Sequence, residues 1–132
     1  MNLANQIGAV GVFAVSLACG AQAPIAPTDR VRALAPIEQV DINVAESFPP
    51  QYFVGIVSLQ PNSCVSFDAV EMTRDGNSIR IVVWNLVPTD PDAQCAQVVT
   101  TTEHSVALGT DFKPGQSYDV QVNDVSQTFV AQ

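Results

Sequence analysis

Beyond residue 36 the chain alternates apolar and polar positions with the two-residue period of β-strands, and no long apolar stripe has helical spacing. Val40, Ile42 and Val44 alternate with polar or small neighbours, which predicts a strand with one buried face. Residues 52–59 (YFVGIVSL) are apolar on both faces and rich in β-branched and aromatic side chains, as is typical of a central strand. The pattern predicts an all-β domain.

A β-hairpin is predicted around Asp75-Gly76, because this dipeptide lies between two β-prone segments, 64–74 and 77–87. Glycine supplies the positive φ angle that such a tight turn requires. If the dipeptide forms the two-residue loop, counting outward along both arms places Cys64 opposite Val87.

Shorter β-prone stretches follow at 97–102 and 105–108, with a bend predicted between them near Glu103-His104. The chain ends in a strand containing Phe129, which we expect to pair with the strand that begins at Tyr118. The count comes to about seven short strands at regular spacing, which is the pattern of a β-sandwich.

The segment FKPGQSYDVQV resembles the tyrosine corner of fibronectin type III and related immunoglobulin-like domains, in which an apolar residue and a Pro-Gly pair precede a tyrosine. On this resemblance Phe112 is the apolar plug, and Pro114 and Gly115 form the corner. The hydroxyl of Tyr118 would then bond to backbone upstream. Trp84 departs from the family pattern, because it lies in the second arm of the hairpin. The resemblance implies a single immunoglobulin-like sandwich of about seven antiparallel strands.

The first 28 residues contain no charged side chain, and Ile7 to Ala18 form an apolar run (IGAVGVFAVSLA). A run of this length suits the apolar region of a signal peptide and is short for a membrane span. We therefore expect a signal peptide at 1–18, a Pro-rich tether at 19–36 and the β-sandwich domain at 37–132.

Leu17-Ala18-Cys19-Gly20 resembles a bacterial lipobox, in which a small residue precedes a cysteine that becomes diacylated and N-terminal. This chain has Ser16 where the family usually has leucine. The resemblance implies lipidation of Cys19 and anchoring at the extracytoplasmic face of the cell membrane. Ordinary cleavage after Ala23, or an uncleaved span from Leu3 to Ala23, are the alternatives. Each of the three places the folded domain outside the cytoplasm.

The chain has three cysteines, an odd number for an exported protein. Acylation of Cys19 would leave Cys64 and Cys95, which should form a disulfide in an oxidising compartment. The predicted hairpin supports this pairing, because it places Cys64 opposite Val87, close to the segment that leads on to Cys95. Two buried free thiols are the alternative. A metal site would need more ligands than these cysteines and one histidine supply.

The net charge is −8, and every charged residue lies at or beyond Asp29. Such a surface repels nucleic-acid phosphates and anionic headgroups, so we expect no nucleic-acid partner and membrane contact only through the lipid anchor. Charged residues make up 14 % of the chain and apolar residues 47 %, which excludes a disordered acidic tail.

Side chains suited to catalysis are sparse. His104, the only histidine, lies beside Glu103 and Ser105. Neighbouring strand residues point to opposite faces, and the chain contains no nucleophile motif such as G-x-S-x-G. We therefore predict no enzyme activity, no cofactor and no metal site. The alternative is a calcium ion bound by Asp90 and Asp92 in the loop 88–94.

The sequence therefore predicts a non-enzymatic, envelope-associated recognition or accessory module that works through a strand edge or end loops. Its partner would be an unknown protein or carbohydrate. An exported protease inhibitor that presents the loop 88–94 is one alternative, and a structural envelope protein is another. Tyr52, Phe53 and Trp84 are predicted core residues, although one of them could instead belong to a surface patch for a ligand.

Overall fold

The computed structural model describes residues 29–132, so the predicted signal peptide and Cys19 lie outside the described residues. Residues 29–132 form eight strands and no helix. The strands are β1 (Arg30–Leu34), β2 (Ile37–Ala45), β3 (Gln51–Gln60), β4 (Ser66–Asp75), β5 (Ser78–Pro88), β6 (Thr100–Gly109), β7 (Ser117–Val122) and β8 (Val125–Val130). This part of the chain contains no helix with the length and apolar character of a membrane span.

The strands form a sandwich of two sheets. One sheet has three strands in the order β2-β3-β6, and the other has five strands with β5 at its centre. β4 pairs along one edge of β5, β1 and β7 share the other edge end to end, and β8 pairs with β7. The prediction of an all-β sandwich is confirmed.

One strand pairing departs from the predicted antiparallel arrangement. β7 runs parallel to β5, with Ser78 opposite Asp119 and Ile81 opposite Val122. The other five pairings are antiparallel. Parallel neighbours need a long crossover connection, and here the chain crosses to the three-stranded sheet as β6 before it returns.

β1 corrects the predicted boundary of the domain. It lies inside the range 19–36 predicted as a tether, but it pairs with β5 along its whole length. The next residue, Ala35, is buried, and its N–H donates to the Val83 carbonyl at 2.9 Å. The sandwich therefore includes residues from Arg30 rather than from Ile37. Prolines flank this strand rather than interrupt it, so they do not prevent strand formation.

The hairpin between β4 and β5 turns at Gly76 and Asn77, because Asp75 pairs with Ser78. Gly76 has a φ of 59°, and a positive φ at only the first central position is the pattern of a type II′ turn. The predicted loop of Asp75 and Gly76 is therefore wrong by one position, since Asp75 belongs to the strand.

A β-bulge lies between Phe67 and Ala69, near the start of β4. It takes up one residue, so that Ser66 lies opposite Leu86. The predicted register, which set Cys64 opposite Val87, is therefore wrong by one residue at this end of the hairpin. A bulge of this kind carries no clear sequence signal.

β6 is one continuous strand, and its pairing with β3 passes through His104 opposite Ile56 without a break. The bend predicted near Glu103-His104 is therefore wrong. The predicted last hairpin is confirmed, because Tyr118 lies opposite Phe129.

The core between the sheets has two ends of different chemistry, with aliphatic side chains of β3, β5 and β7 between them. One end, which we call the aromatic end, holds four rings with neighbouring centroids 4.8 to 5.5 Å apart: Tyr52, Phe112, Tyr118 and Phe129. The other, which we call the polar end, holds five hydrogen-bonded side chains: Ser58, Gln60, Asn85, Thr102 and His104.

Candidate functional site

A disulfide between Cys64 and Cys95 closes the polar end of the sandwich. Its sulfur atoms are 2.05 Å apart and its Cα atoms 5.5 Å apart, which lies within the usual range for a bridge. The predicted pairing of the two cysteines is confirmed. The bridge fastens the turn before β4 to the segment that leads into β6.

Backbone hydrogen bonds reinforce this staple. The Ser63 N–H donates to the Ala96 carbonyl at 3.0 Å, and the Ala96 N–H donates to the Ser63 hydroxyl at 2.8 Å. The Cys64 N–H donates to the side-chain carbonyl of Asn62 at 3.0 Å. The two segments are therefore held together by hydrogen bonds between Ser63 and Ala96, the residues next to the disulfide.

The loop 88–94 forms a compact turn. The Asp92 N–H donates to the Asp90 carboxylate at 2.9 Å, and the Ala93 N–H donates to the Asp90 carbonyl at 3.3 Å. The Thr89 N–H donates to the Asp29 carbonyl at 3.1 Å, which ties the loop to the residue before β1. Asp90 thus caps a local turn. Within residues 29–132 no group of three or more His, Cys, Asp or Glu side chains could hold a metal ion.

β6 has a free backbone edge. It pairs with β3 on one side, and no other strand of the described part pairs with it. Its ten residues include a single carboxylate, Glu103, and no lysine or arginine. The two residues before it, Val98 and Val99, are 56 % and 62 % exposed. This edge therefore combines unpaired backbone groups with exposed apolar side chains.

The other edge strands carry the features that discourage pairing with another chain. β4 carries four charged residues and β2 carries two, whereas β6 carries one, and a bulge interrupts the pairing of each of these three strands. β1 and β8 are short, with five and six residues, and β1 carries two arginines. The Gln127 side chain on β8 also donates to the Val40 carbonyl of β2 at 2.6 Å, so these two edges are joined.

His104 lies beneath the β6 edge and faces the core. Its Nε2 is 3.1 Å from the Ser58 hydroxyl, and its ring centroid is 4.4 Å from that of Phe67. Burial lowers the pKa of His104 below its ordinary value of 6.5, which favours the neutral ring near pH 7. The contact joins β3 to β6, and the Ser58 hydroxyl is closed to a substrate because this residue has no exposed surface. From the sequence, only Ser105, the neighbour of His104 in the chain, is considered as its partner. Ser58 is missed, because the pairing of β3 with β6 is what brings Ser58 next to His104.

Hydrogen bonds continue from this pair across the polar end. The Gln60 amide donates to the Asn85 side-chain carbonyl at 3.2 Å and accepts from the Thr102 hydroxyl at 2.8 Å. The Asn85 amide donates to the Leu59 carbonyl at 2.9 Å. The network joins β3, β5 and β6, so that both sheets contribute to it. Buried polar groups satisfied in this way avoid most of their desolvation cost.

The residues of the predicted tyrosine corner meet at the aromatic end. The Tyr118 hydroxyl accepts a hydrogen bond from the Lys113 N–H at 2.8 Å, which is the upstream backbone contact implied by the resemblance. The ring of Phe112 packs edge-on against Tyr118 with centroids 4.8 Å apart. Pro114 leads into Gly115, whose φ of 83° favours glycine. The corner is a structural contact, and it begins three residues after the end of β6.

Trp84 lies on the outer face of the five-stranded sheet, between two buried neighbours that point into the core. Its indole N–H donates to Glu71 at 3.1 Å, and Arg32 lies 5.8 Å from its ring centroid. Arg32 also pairs with Asp68 at 2.6 Å and with Glu71 at 3.0 Å. The pKa of Glu71 is lowered, mainly by the hydrogen bond from the Trp84 indole and next by the hydrogen bond from Arg32. Trp84 is therefore a surface residue, whereas the predicted core residue Tyr52 is 2 % exposed.

The chain is similar to proteins whose descriptions state no function. Residues 55–131 match the family model described as the ORF11 beta-sandwich domain. A relative from Herpetosiphon aurantiacus, an uncharacterized 10.2 kDa protein in the HgiCIIM 5′ region, is 36 % identical over 91 residues, which cover 69 % of this chain and 94 % of the relative. Two more from that organism, in the HgiBIM and HgiEIM 5′ regions, are 31 % identical over 81 residues, 61 % of this chain and 95 % of each relative. No solved structure matches the chain.

Proposed function

The chain belongs to the ORF11 β-sandwich domain family, and from that premise we propose that it is a non-enzymatic recognition module that binds an extended polypeptide segment along the free edge of β6. The proposal rests on the contrast between β6 and the other edge strands, which carry features that discourage pairing with another chain. A segment that adds to a sheet edge gains affinity from main-chain hydrogen bonds and specificity from alternating side chains.

The side chains of β6 suit such a partner. Alternate residues from Thr101 to Ala107 are exposed on the outer face of the sheet, while the residues between them turn toward the core. Glu103 is the only charge on that face of β6, and hydroxyl groups flank it on Thr101 and Ser105. A partner with a cationic or hydroxyl-bearing side chain opposite Glu103 would match this pattern.

The segment before β6 extends the same surface. Val98 and Val99 expose apolar area that a partner would remove from water. The Cys64–Cys95 disulfide holds this segment to the turn before β4. A surface held in its binding conformation lowers the entropic cost of association. The loop 88–94 supports the inhibitor alternative less well, because a compact turn offers no extended segment to a protease cleft.

The test is a selection of short random peptides against the folded domain, followed by amide chemical-shift mapping of the peptides that bind. We expect shift changes along β6 and at residues 98–99. Ser105→Lys with Ala107→Lys places charge on this edge and should weaken binding about tenfold or more. Thr73→Lys on β4 is the matched control and should leave affinity unchanged. Shift changes confined to the loop 88–94, or unchanged affinity of the β6 variant, would contradict the proposal.

We further propose that the module works outside the cytoplasm, anchored by lipid on Cys19. The disulfide is compatible with an oxidising compartment, and it leaves Cys19 as the one remaining cysteine of the sequence. Detergent partitioning of the native protein against Cys19→Ser tests the anchor. The native protein should enter the detergent phase and the variant the aqueous phase, and aqueous partitioning of both would refute lipidation.

A further inference from the structure

A shallow groove crosses the outer face of the five-stranded sheet, on the side of the molecule formed by β5, β7 and β8. Its main hollow has a volume of about 340 Å³. It continues past Arg80 and Gln121 into a second hollow, which ends against Leu34 and Asn123 where β1 and β7 share the edge of β5. We call this continuous depression the seam groove.

Asn123, which has a φ of 50°, holds the backbone at the end of the second hollow. Its N–H donates to the Ile81 carbonyl at 3.1 Å, and its side-chain oxygen accepts from the Val83 N–H at 2.9 Å. Its amide nitrogen donates to the Ala35 carbonyl at 2.7 Å. One side chain thus completes the ladder of β5 at the point where β1 and β7 end, which fixes the backbone at this end of the groove.

Arg80 is the free cation of this groove. Of the four arginines of the chain, it is the one whose side chain has no hydrogen bond, ion pair or ring contact to the residues that the structure describes. The others are engaged: Arg30 donates to Ser66, Arg32 pairs with Asp68 and Glu71, and Arg74 stacks on Phe112. An unpaired guanidinium is suited to a carboxylate, which it can bind through two parallel hydrogen bonds.

The other polar side chains of the groove are hydroxyl, amide and carboxylate groups, and Leu34 and Val82 add apolar surface at the second hollow. Asp119 accepts one hydrogen bond, from the Thr128 hydroxyl at 2.9 Å, and has capacity for further donors. Gln121 donates to the Asn123 carbonyl at 3.1 Å, which leaves its own carbonyl oxygen as an acceptor. Ser78 and Ser126 line the same hollow. These groups call for a ligand that carries several hydroxyls beside its negative charge.

We propose that the seam groove binds a saccharide unit that carries a single carboxylate, such as a uronic acid. Arg80 pairs with the carboxylate, Asp119 accepts hydrogen bonds from ring hydroxyls, and the serine hydroxyls complete the contacts. Asp119 and the net charge of −8 disfavour phosphorylated sugars and polyanions, whose charge density is higher. This site is separate from the β6 edge, which belongs to the other sheet.

The test is an amide chemical-shift titration of the domain with methyl glucuronide, methyl galacturonide, methyl glucoside and acetate. We expect at least one uronide to shift amides of β5, β7 and β8 around the groove, while the glucoside and acetate bind about tenfold more weakly or not at all. Uronide binding that matches acetate would identify a simple anion site and overturn the saccharide proposal. Absence of binding by both uronides would also overturn it.

Arg80→Gln tests the assigned cation. It should weaken uronide binding about tenfold and leave the melting temperature unchanged, because the Arg80 side chain is exposed and makes no hydrogen bond or ion pair with the described residues. Arg30→Gln is the matched control, since Arg30 lies on the five-stranded sheet outside the groove and should leave uronide affinity intact. Equal affinities of Arg80→Gln and the native protein would refute the assignment.

Discussion

At the aromatic end of the core Tyr52 and Tyr118 are each 2 % exposed, and at the polar end Gln60 and Asn85 are 3 % and 1 % exposed. These side chains are thus equally buried at the two ends, but their contacts differ. Rings pack against one another at the first end, whereas side-chain amides and hydroxyls pair at the second. The comparison shows that one alternating pattern along β3 supports two kinds of stabilisation.

The two kinds of contact tolerate change differently. Burial of apolar area contributes roughly 25 cal/mol per Å² without regard to direction, whereas a hydrogen bond contributes about 1 kcal/mol and only in the correct geometry. The polar end therefore gains less from burial and depends on exact partners. It is also the end that carries the Cys64–Cys95 disulfide and the β6 edge. The covalent staple thus reinforces the end at which packing contributes least.

Tyr52→Ala should have the largest effect, a loss of about 3–5 kcal/mol in the free energy of unfolding, because it opens a cavity among the rings. It also removes the hydroxyl that accepts from the Gln132 N–H at 2.9 Å. Urea denaturation measures the loss. Phe53→Ala, on the opposite and partly exposed face of the same strand, is the control and should cost less than half as much. Equal losses for the two variants would remove the distinction between the faces of β3.

Cys64→Ala with Cys95→Ala should cost about 3–4 kcal/mol, on the view that a bridge restricts the unfolded chain. The variant should still fold, because the aliphatic and aromatic core is unchanged. Hydrogen exchange should then accelerate most at the polar end and at the start of β6. Uniform acceleration that includes the amides of β7 and β8 would show that the disulfide does not act locally.

Gln60→Leu should cost about 1–3 kcal/mol, because it leaves the Asn85 side-chain carbonyl and the Thr102 hydroxyl without their partner in the core. Tyr118→Phe makes the matched change at the aromatic end. It removes a single acceptor, that of the Lys113 N–H, and should cost about 1 kcal/mol. Denaturant midpoints rank the two variants. A larger loss for Tyr118→Phe would reverse the expected dependence of the polar end on hydrogen bonds.

The smallest effect should come from protonation of His104. Burial lowers its pKa in the folded protein below the ordinary value of 6.5, so the unfolded chain binds the proton more tightly. Its contribution to stability is therefore complete above that ordinary value and is lost as the pH falls through the folded pKa. The urea midpoint should fall slightly more for the native protein than for His104→Gln between about pH 7.5 and 5.5. Identical pH dependence of both proteins would exclude a role for His104.

Local features of the sequence predicted much of the fold correctly. Two-residue alternation identified the last hairpin, in which Tyr118 lies opposite Phe129, and the Pro-Gly segment before it led to the hydroxyl contact with the Lys113 N–H. Cysteine chemistry predicted the Cys64–Cys95 bridge although the two residues are 31 positions apart. In each case a short motif or a small set of reactive groups left few arrangements open.

Only the tertiary structure decided which strands became neighbours and which faces they buried. It placed β1 in the sandwich, β7 parallel to β5 and Trp84 on the surface. It also joined His104 to Ser58, 46 positions away. Alternation states which residues share a face of one strand, but a strand that is apolar on both sides has no preferred face by itself. That choice, and the pairing of distant strands, depends on the joint burial of both sheets and on the hydrogen-bond partners that only the folded chain brings together.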